Sequence, residues 1–147
     1  MRIDNGTLIL AADGAKMLIL RNDGDAKYPV LATVAHAEAE NPPSHEQGTD
    51  APGRAFSSVD GRRSAVGETD WHQQAEDQFA GRALAALEDA ADAEEGGIVV
   101  IAPPRMLGEL RRQYSNAIRR RLIAEIDKDV ANRTSDDIAR AIAAHEG

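Results

Sequence analysis

The chain has 147 residues, a formal net charge of −8 and 42 % hydrophobic residues, enough for one domain with a single core. It has no cysteine, which excludes disulfides and Cys-based zinc sites and is compatible with a reducing cytoplasm. Overall acidity argues against a general nucleic-acid coat, yet the charge is uneven. Residues 68–95 carry nine acids against Arg82 alone, whereas 105–128 carry seven bases against three acids, so one face can still be basic.

In chain order, Thr7 to Ala12 and Ala15 to Leu20 are apolar runs separated by Asp13-Gly14, a dipeptide that suits the positive φ angles of a tight type I′ turn. Apolar residues run through both arms without alternation, as in strands covered on both faces. Because Leu8 to Ala12 is broken at once by Asp13-Gly14, neither a signal peptide nor membrane insertion is expected. Tyr28 to His36 alternates and reads as a third strand nearer the sheet edge. Residues 37–69 carry Pro42, Pro43, Pro52 and four glycines with few clustered apolar side chains, which predicts a long, mobile loop. A helix is expected from about Trp71 to Ala93, capped by Asp70 with Gln73 reaching back. Its apolar stripe is Ala75, Phe79, Ala83, Leu87 and Ala90.

Ile98 to Ala102 is a buried strand, and Pro104 opens a helix whose Met106, Leu107 and Leu110 face the core. Ser115 is the expected cap of a short helix carrying Arg119, Arg120 and Arg121. Leu122 to Ile126 returns as a strand, and Thr134 caps a last helix with Ile138, Ala141, Ile142 and His145 on one face. The expected fold is therefore α/β. A single mixed sheet of about five strands, an antiparallel hairpin ribbon followed by parallel βαβ crossovers, carries helices on both faces.

Ala102-Pro-Pro-Arg-Met-Leu-Gly-Glu-Leu-Arg, followed by Ala124-Glu-Ile-Asp-Lys-Asp-Val, resembles the host attachment family, "protein required for attachment to host cells". Ala11-Ala-Asp-Gly-Ala-Lys and Glu68-Thr-Asp-Trp-His-Gln-Gln-Ala resemble its opening hairpin and the start of its long helix. That family is similar to the middle domain of archaeal and eukaryotic class I release factors and their bacterial relatives, a ribonuclease H-like shape. The resemblance implies one domain over residues 1–147, a cytoplasmic location, and association with the ribosome or transfer RNA. It also implies a Gly-Gly-Gln tip on the loop after the third strand, for peptidyl-tRNA hydrolysis. This sequence contains no Gly-Gly-Gln triplet. Gln47-Gly48 has the wrong order and Gly96-Gly97 precedes Ile98, so the expected role is RNA binding without that catalysis.

Arg105, Arg111, Arg112, Arg119, Arg120, Arg121 and Lys128 are candidate phosphate contacts, because guanidinium forks suit oxyanions. Equally, they can pair with Glu109, Glu125 and the acidic long helix. Arg105 stands out: it occupies a first helical turn past a strand's carboxyl end. Asp13, Asp127 and Asp129 form a candidate polar cleft, and paired carboxylates of this kind can hold magnesium in a nuclease or hydrolase. No other cofactor or metal is expected. A third reading is a protein-interaction module acting in surface attachment or stress through a protein partner. Aromatic platforms for base stacking are scarce, with Tyr28, Phe56, Trp71, Phe79 and Tyr114 the only aromatics.

Overall fold

The computed structural model describes residues 1–39, 57–93 and 96–145, with side chains in the first helix described from Gln73 onward. Its elements are β1 (Leu8–Ala12), β2 (Lys16–Asn22), β3 (Leu31–Glu38), α1 (Ser57–Asp92), β4 (Ile98–Ala102), α2 (Pro104–Gln113), α3 (Asn116–Arg121), β5 (Leu122–Asp127) and α4 (Ser135–Ala144). One open sheet has the order β3-β2-β1-β4-β5. β1 pairs antiparallel with β2 and parallel with β4, β2 antiparallel with β3, and β4 parallel with β5. The α/β class and mixed five-stranded sheet match the pattern expected from the sequence.

The continuous apolar runs end up at the sheet centre. Every residue of β1 and β4 is buried, because helices cover both faces and leave no solvent side for polar residues. On one face Leu8, Leu10, Ile98 and Val100 pack with Phe79, Leu84 and Leu87 of α1 and with Met106, Leu107 and Leu110 of α2. On the other, Ile9, Ala11, Val99, Ile101 and Ile126 pack with Ile138, Ala141 and Ile142 of α4. Truncating a fully buried leucine such as Leu110 to alanine costs about 2–5 kcal/mol. β4 starts so close to the chain before β1 that a Cβ on Gly96 would lie 2.6 Å from the Gly6 carbonyl oxygen. Glycine is required there for the two backbones to meet.

Edge strands β3 and β5 each carry a register shift opposite Ile19/Leu20 and Ile98/Val99. Val34 and Ile123 are the extra residues, and each leaves the alternation and faces solvent. Caps expected from the sequence form. Ser115 accepts from the Ile118 amide at 3.2 Å and Thr134 from that of Asp137 at 3.1 Å.

Three local expectations are corrected. Gly14 does not have positive φ, so the hairpin turn is not type I′. It is instead held by Asp13, whose Oδ1 accepts from the Ala15 and Lys16 amides at 2.7 Å each. α1 starts at Ser57, not near Trp71, so residues 57–69 of the expected loop are helical, whereas 40–56 lie outside the described residues. Once residues 73–92 are packed the nucleation cost is met, and each further residue adds a hydrogen bond despite Gly61 and Gly67. Asp70 is consequently mid-helix rather than a cap, and Gln73 reaches Asp77 and Glu109 instead.

Candidate functional site

β1, β4 and β5 run parallel, so Asp13, Arg105 and the Asp127-Lys128-Asp129 triplet all follow strand carboxyl ends on one edge of the sheet. Chain connections leave β1 and β4 in opposite directions, making this edge a topological switch point of the kind where open α/β sheets bind ligands. Sharing an edge does not bring these side chains together. Asp13 is committed to its own turn, with Asn132 3.4 Å from its second oxygen. Asp127, Lys128 and Asp129 are exposed. Among the described residues no three His, Asp or Glu side chains gather as a metal would need.

The seven candidate bases divide by what they touch. Arg105 places Nε 3.0 Å from Glu76 of α1 and Nη2 3.5 Å from Gln73. Arg111 directs Nε to both oxygens of Glu125 at 3.0 and 3.1 Å. The same carboxylate accepts from the Tyr114 hydroxyl at 2.7 Å. Burial and then Glu125 push the phenol's proton affinity well above its usual range, so Tyr114 stays a donor.

Arg112 contacts Glu109 one turn earlier and Asp77 of α1 at 3.2 Å. Glu109 is 7 % exposed and also accepts from Gln73 Nε2 at 2.6 Å, while Gln73 reaches Asp77 at 3.2 Å. Two carboxyls therefore share two donors. Their contact raises the proton affinity of Asp77, which donates when protonated, and keeps Glu109 ionised below the usual carboxylate range. This network ties α1 to α2 and leaves Glu109 fully satisfied.

Arg121 plays a different part, which charge counting missed. Its Nε donates to the Gly96 carbonyl and its Nη1 to that of Ala91, both at 2.8 Å. It fastens the carboxyl end of α1 to the turn before β4, where unpaired carbonyls and a negative helix end favour a cation. A clue was available in sequence: Arg121 closes a short helix directly before the strand-like run from Leu122, where the chain changes direction.

Arg119, Arg120 and Lys128 remain exposed, with no hydrogen-bonding or ion-pair partner for their side chains among the described residues. Arg119 and Arg120 are adjacent on α3, one helix turn past Ser115. Lys128 lies at the opposite end of β5, a six-residue strand spanning roughly 20 Å. The free bases therefore form a pair plus an outlier. Arg111 and Arg112, at the end of α2, are on the α3 side of the molecule.

Between α1 and the β2–β3 edge lies a groove of about 330 Å³ lined by Leu8, Arg21, Val34, Ala86, Asp89 and Ala90 among others. Arg21 is paired with Asp23 at 2.6 Å, and none of the candidate bases lines the groove. No described helix is long and apolar enough to cross a membrane. The sequence model of bacterial archaeo-eukaryotic release factor family 12 matches residues 6–142. This agrees with the release-factor side of the resemblance seen in the sequence and lends no support to the host-attachment name. No curated protein matches the chain significantly.

Proposed function

The chain belongs to bacterial archaeo-eukaryotic release factor family 12, and from that membership we propose a cytoplasmic, release-factor-like module that binds ribosomal or transfer RNA without Gly-Gly-Gln catalysis. The observation that carries the reading is the pair Arg119 and Arg120, exposed and unpartnered among the described residues. Two adjacent guanidinium groups with no carboxylate partner among the described residues suit a phosphate backbone, and the net charge of −8 confines attraction to that side. Arg111 and Arg112 extend the same side, although each is already engaged. Arg121 is assigned to the scaffold and Lys128 to the margin, while Arg105, at the start of α2, extends the basic side along that helix.

Contacts of this type position a nucleic acid and carry no sequence information. The module accordingly recognises the shape and charge of structured RNA, with the paucity of aromatics arguing against base stacking. The test is binding to purified transfer RNA and to ribosomes at two salt concentrations. Binding at low salt that weakens steeply as salt rises is the expected result, and no binding to either at low salt would overturn the proposal.

A further inference from the structure

We propose that Glu76 and Asp77 are built-in competitors for phosphate, occupying Arg105 and Arg112 and so limiting how tightly the basic side of α2 and α3 takes RNA. This rests on the RNA-binding reading above and concerns its regulation. Both pairs join the acidic helix α1 to α2, Arg105 to Glu76 at 3.0 Å and Arg112 to Asp77 at 3.2 Å. Both guanidinium groups face water, their side chains being 64 % and 63 % exposed. A carboxylate and a phosphate compete for the same N–H groups, Arg105 Nε and Arg112 Nη2, so each acid lowers its arginine's affinity for phosphate. Exposed ion pairs add little stability in water, so a phosphate can replace the carboxylate without disturbing the fold.

The other arginine pairs differ in a way that isolates these two. Glu125 is anchored to β5 and also holds Tyr114, so Arg111 belongs to a fixed group rather than an exchangeable one. Glu109 is buried and keeps its grip on Arg112. When Asp77 is displaced, Arg112 therefore stays in position through Glu109 with an N–H of Nη2 released, preorganised for the incoming anion. The acids of α1 thus lower affinity for RNA at Arg105 and Arg112 while Arg119 and Arg120 remain free to make the first encounter.

The test measures anisotropy of a labelled transfer RNA with the whole chain. The Glu76→Gln/Asp77→Asn variant is compared with Asp89→Asn/Asp92→Asn, which removes the same charge from acids of the same helix that have no ion-pair partner among the described residues. Both substitutions in the first variant keep acceptor oxygens, and thermal melting checks that each protein is folded. The proposal predicts roughly ten-fold tighter binding with a steeper salt dependence for the first variant, and a change below about two-fold for the second. Equal effects of the two variants, or no effect of the first, would overturn the competitor role and leave the RNA-binding reading standing. If neither the wild type nor the first variant binds at low salt, both readings fall.

Discussion

Arg112 on α2 reaches Asp77 on α1 across 3.2 Å while the same guanidinium group holds Glu109, a buried acid on its own helix. The relationship places an acid–acid contact at the seam between the two helices that cover one face of the sheet. It links the stability of that seam to pH and the basic surface beside it to the acidic helix.

Asp77 and Glu109 make opposite contributions as pH changes. The raised proton affinity of Asp77 gives stability that is present in acid and lost as pH rises through its folded-state value. Glu109, lowered, contributes stability above the ordinary glutamate range that is lost as pH falls. Asp77→Asn removes the first effect, while its amide can still donate to Glu109, whose lowered proton affinity owes most to the Asp77 contact. Its melting temperature should gain on the wild type as pH rises from strongly acidic values through the carboxylate range, and a difference independent of pH would contradict the assignment.

Replacing Glu109 with alanine leaves Gln73 Nε2 without its 2.6 Å acceptor and releases Arg112 from its own helix. The expected cost is about 2 kcal/mol, since hydrogen bonds to a charged group are involved. Urea unfolding of Glu109→Ala and Glu109→Gln should separate them, with the glutamine variant retaining more than half of that stability.

Asn22, fully buried at the end of β2, is the densest polar hub described. Its Nδ2 donates to the carbonyls of Ile3, Asp4 and Asp25 at 3.0–3.3 Å, and its Oδ1 accepts from the Gly24 and Val30 amides at 2.9 and 3.0 Å. Asn22→Ala strands buried backbone groups on three segments and should cost about 3 kcal/mol. Asn22→Asp should cost at least as much, because a carboxylate cannot donate to those carbonyls. Chemical denaturation measures both.

Arg121→Ala removes two bonds to backbone carbonyls, at Gly96 and Ala91. A loss of about 1–2 kcal/mol is expected, together with faster amide exchange in the last turn of α1. RNA affinity should move less than about two-fold if Arg121 belongs to the scaffold.

Much of the fold was legible because burial writes itself into sequence. The unbroken runs Leu8–Ala12 and Ile98–Ala102 could only be central strands, and Ser115 and Thr134 announced their helices through local chemistry. Glu109 and Glu125 were also readable as partners of nearby bases. What stayed hidden depends on three-dimensional approach: which arginine meets which acid, and that Arg121 binds carbonyls rather than carboxylates. The start of α1 was hidden for another reason, since residues 57–70 extend an already nucleated helix without an apolar stripe to mark them.

Arg119 and Arg120 are the pair on which the proposed RNA contact depends. Transfer RNA binding should be compared, across a salt series, for wild type, Arg121→Ala and Arg119→Glu/Arg120→Glu. Charge reversal should abolish low-salt binding or weaken it by at least about ten-fold, flatten the salt dependence and leave the melting temperature unchanged. Affinity and salt slope equal to wild type in Arg119→Glu/Arg120→Glu would contradict that dependence on the pair.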